Sequence, residues 1–244
     1  MTVGVYGLGR FGSLWAGLLA RSFPVCGYTR TADRPTPQGV RRVGEDEVLS
    51  QDVLFLCVAI SSLEEILQKA RARIPPNTLV MDTCSVKSYP VRLMEQHLPE
   101  AVGILGTHPM FGPDSARNGI QGLPMILCPC RVAPRLVEQW RSYFLSIGLS
   151  VTLMTPEEHD REAAFTQGVT HYIGRVLSDL GVRRSPIGTM GFNKLLEIVE
   201  QTCNDPWQLF LDLQRYNPYT GEMRTRLAKS LQSILAAIDG TLSP

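Results

Sequence analysis

The stretch Val3-Gly4-Val5-Tyr6-Gly7-Leu8-Gly9-Arg10-Phe11-Gly12 decides the fold of the chain. Its first four residues form a short apolar run typical of a buried strand, and its glycines match the G-x-G-x-x-G pattern that joins a strand to a helix. Gly7 permits a tight turn, Gly9 lets a pyrophosphate approach the backbone, and Gly12 lets the helix pack on the strand. The unpaired N–H groups of the helix would then face the phosphates. The stretch predicts a dinucleotide site, and an ordinary tight turn is the alternative.

The first 155 residues continue this alternation of strand and helix. Apolar strand runs are expected over residues 2–6, 24–28, 53–59, 78–82, 102–107, 125–128 and 151–154, and helical patterns over residues 11–21, 63–73, 89–97 and 135–147. Continuous apolar runs are typical of strands that helices cover on both faces. The order predicts an α/β fold with a doubly wound, mostly parallel sheet of the Rossmann type.

The pattern changes at Thr155 and Pro156. Beyond them no strand pattern returns, and helices are expected to about residue 180 and over residues 190–201, 206–216 and 221–238. We therefore predict a nucleotide-binding domain over residues 1–155 and an all-helical domain over residues 156–244.

Composition excludes several classes of function. The formal net charge of +1 gives no reason to expect nucleic acid or an anionic membrane as a partner. No apolar run reaches the roughly 18 to 20 residues needed to span a bilayer. The six cysteines show no spacing typical of a metal site or a disulfide framework, so we expect no metal and a reducing, cytoplasmic location.

The end of the second predicted strand carries information on the cofactor. An NAD site would have an acidic residue there to bind the ribose 2′-hydroxyl, but the sequence reads Gly27-Tyr28-Thr29-Arg30-Thr31. Hydroxyls and a guanidinium suit a 2′-phosphate, so NADP is favoured over NAD, although Arg30 as a solvated loop residue is the alternative. The residues expected to contact the cofactor are Gly7, Leu8, Gly9, Arg10, Phe11, Gly12, Thr29, Arg30 and Thr31.

Two further stretches place proton-handling side chains at strand ends. Residues 82–87 read DTCSVK and residues 106–113 read GTHPMFGP, and each includes or follows the end of an apolar run. Ligands of open α/β sheets bind beyond the carboxyl ends of the strands. A nucleotide site followed by Ser85 and His108 therefore favours an oxidoreductase over a passive binder.

These motifs together resemble one family. The glycine motif, Asp82-x-x-Ser85-Val86-Lys87, residues 107–113 and His159-Asp160 occur in the order typical of the prephenate/arogenate dehydrogenases of tyrosine biosynthesis. The resemblance covers nearly the whole chain. Residues 167–171 and 185–187 resemble the compact form of plant arogenate dehydrogenases and some bacterial members.

The resemblance implies an oxidative decarboxylation of arogenate to tyrosine. Hydride leaves the ring carbon that bears the hydroxyl, and the ring carboxylate leaves as carbon dioxide. His108 would accept the hydroxyl proton, since an imidazole titrates near neutral pH, and Ser85 would bind and orient the same hydroxyl. The alternatives are structural: His108 caps a loop, and Ser85 caps the following helix.

The helical domain is expected to complete the substrate pocket. Gln167, Thr170 and His171 lie at i, i+3 and i+4 and so share a helix face. The family places this helix opposite the nicotinamide, which favours a pocket over solvent exposure. Lys87 is expected near the mouth of the site, with a structural ion pair as the alternative. His159 followed by Asp160 matches the His-Asp pair of the family. The alternative is that His159 caps the first turn of its helix or pairs there.

Glu197 bears on the choice between two substrates. Arogenate carries an ammonium where prephenate carries a keto group, so a carboxylate in the pocket favours arogenate. Glu197 has apolar neighbours and matches an acidic position of arogenate-preferring relatives, although a solvated helix position is the alternative. Prephenate is therefore the alternative substrate.

No arginine stands out as the ligand of the side-chain carboxylate of the substrate; the candidates are Arg161, Arg175, Arg183, Arg184, Arg215 and Arg224.

Two rival classes remain open. A hydroxyacid dehydrogenase would use a catalytic lysine of the helical domain, for which Lys194 is the main candidate. A non-catalytic NADP-binding sensor would keep the fold without turnover. The resemblance also implies a homodimer formed through the helical domain.

Overall fold

The computed structural model describes residues 1–240. The chain divides into two compact units, Met1–His159 and Asp160–Pro244. The division falls four residues after the boundary expected from sequence, inside a helix that begins at Pro156.

The first unit is built on one eight-stranded sheet. Its strands are β1 (Val3–Tyr6), β2 (Val25–Tyr28), β3 (Val40–Arg42), β4 (Val53–Leu56), β5 (Leu79–Asp82), β6 (Gly103–Pro109), β7 (Pro124–Arg131) and β8 (Ser150–Leu153). Its helices are α1 (Arg10–Leu19), α2 (Glu45–Leu49), α3 (Ile60–Ala70), α4 (Ser88–His97) and α5 (Pro134–Ser146), and α6 (Pro156–Ala163) crosses the division. The strand order is β3-β2-β1-β4-β5-β6-β7-β8, and every neighbouring pair is parallel except β6 and β7. The expectation of a mostly parallel Rossmann-type sheet is confirmed.

Helices cover both faces of the sheet. One face of the strands packs against Trp15 of α1 and Trp140 of α5, and the Phe55 ring lies between them at centroid distances of 5.6 and 5.5 Å. The side chain of Val91 from α4 approaches Gly106 of β6. Because both faces are buried, β1, β4 and β5 show no polar alternation, as the apolar runs predicted.

The sequence reading missed β3 and α2. Strand β3 has three residues and lies at the sheet edge, with Arg41 and Arg42 exposed, so it offers no apolar run. Helix α2 has five residues, too few to show a repeated helical pattern. Its first turn carries Glu45, Asp46 and Glu47, which suit the positive end of a helix dipole and are the signal that could have found it.

The second unit is helical. After α6 the chain forms a π-helix (Ala164–Gly168), then α7 (Val169–Asp179), α8 (Met190–Cys203), α9 (Trp207–Tyr216) and α10 (Thr220–Ile238). Gly174 lets α7 approach α8 closely, since a Cβ there would lie 2.1 Å from Thr202 Oγ1. The Gln214 amide donates to the Gly168 carbonyl at 2.9 Å, and the Asn217 amide donates to the Asp160 carbonyl at 2.8 Å, which ties α9 to the first helices of this unit.

Two kinds of feature are absent from residues 1–240. None of their helices combines the length and the apolar character that a membrane crossing requires. No group of three or more His, Cys, Asp or Glu residues in this range could hold a metal ion.

Candidate active site

The glycine turn after β1 has the shape that a dinucleotide requires. Gly7 has φ +106°, a backbone conformation that side chains disfavour, and a Cβ there would lie 2.3 Å from the Cys57 carbonyl oxygen. A Cβ on Gly12 would lie 1.8 Å from the Gly7 carbonyl oxygen, so only glycine lets α1 pack this closely. Gly9 begins the helix without a side-chain cap, and a Cβ there would meet no atom within 4 Å. The turn therefore leaves room for a pyrophosphate at the helix N-terminus.

The other residues of the turn have roles in the fold. Leu8 is buried, its side chain packs against Gly27, and its N–H donates to the Tyr28 carbonyl at 3.1 Å, while its contact with a cofactor stays a prediction. The Phe11 ring packs against Trp15 and Phe111, with centroids 5.9 and 6.5 Å apart.

Arg10 connects the glycine turn to the segment after β6. The Arg10 guanidinium bonds the Asp114 carboxylate at 2.6 Å, and both side chains are part-exposed. The pair places a cation at the N-terminus of α1.

The loop after β2 is ordered by an arginine from β3. The Thr31 N–H donates to Thr29 Oγ1 at 3.3 Å, and the Arg42 guanidinium donates to the Thr31 and Arg34 carbonyls at 2.8 and 3.0 Å. Arg30 lies exposed in the same loop. The hydroxyls and cations expected from sequence are therefore held near the end of β2. Arg42 is 11 residues from Thr31 and 8 residues from Arg34 in the sequence, and no local sequence pattern predicts these contacts.

A buried ion pair joins the ends of β5 and β6. Lys87 is 0% exposed, and its ammonium bonds the Asp82 carboxylate and donates to the Thr107 carbonyl at 2.6 Å. Asp82 also accepts from the N–H groups of Cys84 at 3.0 Å and Thr107 at 3.2 Å. This corrects the expectation that Lys87 presents its charge at the mouth of the site, because the charge is compensated inside the fold.

Ser85 lies in the turn after this strand end. It is 6% exposed, and its Oγ is buried and makes no hydrogen bond within the described part of the chain. Helix α4 begins at Ser88 after Lys87 and has no side-chain cap, so the capping role considered for Ser85 is absent. A buried hydroxyl usually has a partner, and this one is available to a bound molecule.

His108 lies in the last residues of β6, two strands away from β4 and three from β1. Since β1, β4, β5 and β6 are parallel, their carboxyl ends share one sheet edge, which brings His108, the turn of Ser85 and the glycine turn together there. His108 is 2% exposed, and its Nδ1 lies 2.8 Å from Nε2 of His159. The two rings meet edge to face, with centroids 5.0 Å apart.

The helical unit carries a row of unsatisfied polar atoms. Gln167 Oε1, His171 Nδ1 and Arg175 Nε are buried, four residues apart along the helix, and make no hydrogen bond among the described residues. Burial, with Arg175 nearby, lowers the pKa of His171 to about 4, so this imidazole is neutral at pH 7. The Thr170 hydroxyl donates to the Thr166 carbonyl of its own helix at 2.9 Å, which leaves its oxygen able to accept a further hydrogen bond.

Glu197 and Lys194 are both exposed on α8. The apolar neighbours of Glu197 in sequence lie on other faces of the helix, so its exposure fits the alternative of a solvated helix position, and its contact with a substrate stays a prediction. Lys194, the candidate catalytic lysine of the rival hydroxyacid dehydrogenase, is exposed to solvent, which gives that rival no support.

Two candidate arginines are engaged within the helical unit. Arg175 donates to the carbonyls of Thr202 and Asp205, at 3.0 and 2.7 Å, and its guanidinium lies over the Trp207 ring at 5.1 Å. Arg224 donates to the carbonyl and the side-chain amide oxygen of Gln214. Both hold helices together.

Comparison with known proteins identifies the family. Residues 33–153 match the model of the prephenate dehydrogenase nucleotide-binding domain, and residues 176–243 match that of the TYRAAT1-like C-terminal domain. Arogenate dehydrogenase 2, chloroplastic, of Arabidopsis thaliana is 35% identical over 254 residues, an alignment that covers 99% of this chain and 71% of that protein. The chain belongs to the prephenate/arogenate dehydrogenase family.

Other members of the prephenate/arogenate dehydrogenase family align at similar or lower identity. Arogenate dehydrogenase 1, chloroplastic, of Arabidopsis thaliana is 33% identical over 99% of this chain and 40% of that protein. The crystal structure of Synechocystis arogenate dehydrogenase superposes with a TM-score of 0.70 at 22% identity, over 99% of this chain and 93% of that one. The structure of prephenate dehydrogenase from A. aeolicus, solved with hydroxyphenyl propionate and NAD+, gives a TM-score of 0.71 at 19% identity, over 98% and 92%. These likenesses show the shared fold.

The main feature of this dehydrogenase site that the sequence did not predict is the contact between His108 and His159. The two residues are 51 positions apart, and the family motifs include both without pairing them. The nearest available signal was a titratable side chain, His159, in the first turn of α6.

Proposed function

We propose that the chain catalyses the NADP-dependent oxidative decarboxylation of arogenate to tyrosine. The observation that carries the proposal is the position of His108, buried at the end of β6 on the sheet edge that also holds the glycine turn. The alignment with Arogenate dehydrogenase 2 over 99% of this chain supports the reaction class. Arg30, Thr29 and Thr31, with no acidic residue among them, support NADP over NAD.

Each residue has a separate role in the proposed reaction. A bound nicotinamide cofactor would supply the hydride acceptor. His108 accepts the proton of the ring hydroxyl, and Ser85 uses its unsatisfied Oγ to bind and orient that hydroxyl. The Asp82–Lys87 pair holds the Thr107 carbonyl next to His108 and so fixes the end of β6. Aromatisation then releases the ring carboxylate as carbon dioxide.

The helical unit carries the further residues that the sequence predicts for substrate binding, and they remain candidates in this proposal. Gln167 Oε1 and His171 Nδ1 are buried polar atoms without partners among the described residues, as expected of a wall that a polar ligand completes. A neutral His171 would contribute hydrogen bonds, not charge. Thr170 and Glu197 remain candidates, Glu197 for the ammonium of arogenate. Prephenate is the second candidate substrate. Glu197 is exposed, so its carboxylate is not enclosed in a pocket that would select for an ammonium group.

The test is the absorbance of reduced nicotinamide with arogenate and with prephenate, each with NADP and with NAD. We expect the largest rise with arogenate and NADP. A larger rate with prephenate would keep the family chemistry and overturn the substrate assignment. No absorbance change in any of the four mixtures, with intact NADP binding, would overturn this assignment in favour of another substrate or of a non-catalytic sensor.

Arg30→Ala should weaken NADP binding by about 10- to 100-fold and leave NAD binding unchanged. The guanidinium would form charge-assisted hydrogen bonds to a 2′-phosphate that NAD lacks, each about 1.5 to 3 kcal/mol. Titration of both cofactors by fluorescence measures the two dissociation constants. Arg34→Ala in the same loop is the matched control. Equal weakening for both cofactors would contradict the assignment of Arg30 to the 2′-phosphate.

We further propose a cytoplasmic homodimer formed through the helical unit. The apolar residues Leu231, Ile234, Leu235 and Ile238 repeat at i, i+3, i+4 and i+7 on α10 and are 52 to 76% exposed. A stripe of this size on one helix face suits burial against a second copy. The spacing of the six cysteines is not that of a disulfide framework, which supports a reducing compartment.

Leu235→Glu should convert the dimer to a monomer. A carboxylate buried in an apolar interface without a partner opposes association. Light scattering after size exclusion should give twice the 27.1 kDa chain mass for the unmodified protein and the chain mass for the variant. Ser233→Glu adds the same charge at an exposed position off the stripe and should remain dimeric. A dimeric Leu235→Glu variant would place the interface elsewhere.

A further inference from the structure

His159 lies where it can determine which nitrogen of His108 acts as the base. Its Nε2 is 2.8 Å from Nδ1 of His108, a hydrogen-bond distance. Both rings are 2% exposed, so bulk water does not compete strongly for this contact. One ring is held by β6 and the other by α6, which fixes their mutual orientation.

Only one arrangement of protons is compatible with proton acceptance by His108 at Nε2. A neutral imidazole carries its proton on one nitrogen and a lone pair on the other. If His159 Nε2–H donated to His108 Nδ1, the neutral His108 ring would carry its proton on Nε2 and could not accept another there. If His108 Nδ1–H donates to His159 Nε2, the lone pair of His108 is on Nε2.

We propose that His159 is a positioning residue whose Nε2 accepts the hydrogen bond from His108 Nδ1–H and so holds His108 in its Nδ1–H tautomer. This proposal rests on the proposed role of His108 as the base. When His108 takes the substrate proton on Nε2, the same bond stabilises the imidazolium that forms. His159 thus has the role of the third group that orients a catalytic base, here with a neutral ring as acceptor.

The first readout is independent of turnover. Long-range proton–nitrogen correlation spectra of the full chain labelled with ¹⁵N-histidine distinguish the protonated from the unprotonated ring nitrogen. The chain has four histidines, so single substitutions of His97 and His171 assist the assignment. At about pH 9, above the usual histidine pKa, we expect His108 as the Nδ1–H tautomer and His159 with an unprotonated Nε2. A His108 Nε2–H tautomer would overturn the proposal.

The second readout compares two variants of His159. His159→Leu removes the acceptor, and we expect kcat to fall about 10²-fold, KM to change less than about threefold, and the His108 tautomer to become mixed. His159→Gln keeps an acceptor oxygen near the position of Nε2 and should recover kcat to within about tenfold of the unmodified chain. His97→Leu, on the surface helix α4, should leave kcat unchanged.

The outcomes separate this inference from the proposed function. Unchanged kcat and an unchanged tautomer in a folded, NADP-binding His159→Leu chain would overturn the positioning role. Equal losses of kcat in the Leu and Gln variants with the Nδ1–H tautomer retained would overturn it as well. If the unmodified chain turns over no substrate, the proposed function fails, and the tautomer still tests the His108–His159 bond.

Discussion

His108→Asn is expected to lower kcat by about 10² to 10⁴-fold and to leave the NADP dissociation constant within about threefold. The Asn side chain can still donate towards His159 from near the position of Nδ1, so the strand end keeps a bonded, buried polar group. It has no group that accepts a proton at neutral pH. The loss should therefore appear in the chemical step. Initial rates from nicotinamide absorbance and a fluorescence titration with NADP measure the two effects separately.

The control for this substitution is His97→Asn. His97 lies at the end of α4, 3.7 Å from Glu64, away from the sheet edge that holds His108. Its replacement should change neither the rate nor the affinity. An unchanged rate for His108→Asn would remove His108 from the mechanism, and the buried Ser85 hydroxyl would then need a different proton acceptor nearby.

The parts of the site that could be predicted from the sequence are those with local causes. Gly7 and Gly12 are required by the backbone itself, one by a positive φ and the other by a close helix–strand contact, so their spacing is visible in the sequence. His108 and Ser85 follow apolar runs, and parallel strands bring such ends to one edge. Covered strands and long helices likewise leave periodic patterns that predict the two-part architecture.

The remaining features depend on contacts between distant residues. No local pattern determines that Lys87 compensates Asp82 inside the fold, because the same residue could equally extend into solvent. The exposure of Glu197 follows from which face of α8 packs on α7, and its neighbours in sequence lie on other faces. The π-helix at residues 164–168 adds a residue to one turn and has no composition signature.

Lys87→Met is expected to lower the free energy of unfolding of the first unit by about 3 to 5 kcal/mol. The substitution keeps most of the side-chain volume but leaves the Asp82 carboxylate buried without its cation. The Thr107 carbonyl also loses its donor, so kcat should fall through displacement of His108. Urea unfolding followed by tryptophan fluorescence reports mainly this unit, since Trp15 and Trp140 lie in its core, whereas Trp207 of the helical unit is 56% exposed.

A second variant separates the buried charge from packing. Adding Asp82→Asn to Lys87→Met removes the uncompensated charge, so the double variant should be more stable than the single one. Lys69→Met breaks the exposed pair with Glu65 on α3 and should leave the unfolding midpoint unchanged, because water screens that pair. If Lys87→Met unfolds at the midpoint of the unmodified chain, the pair contributes little to the fold, and Lys87 returns as a candidate ligand of the substrate or cofactor. A loss of stability that Asp82→Asn does not reduce would assign the effect to packing around the Lys87 side chain, not to its charge.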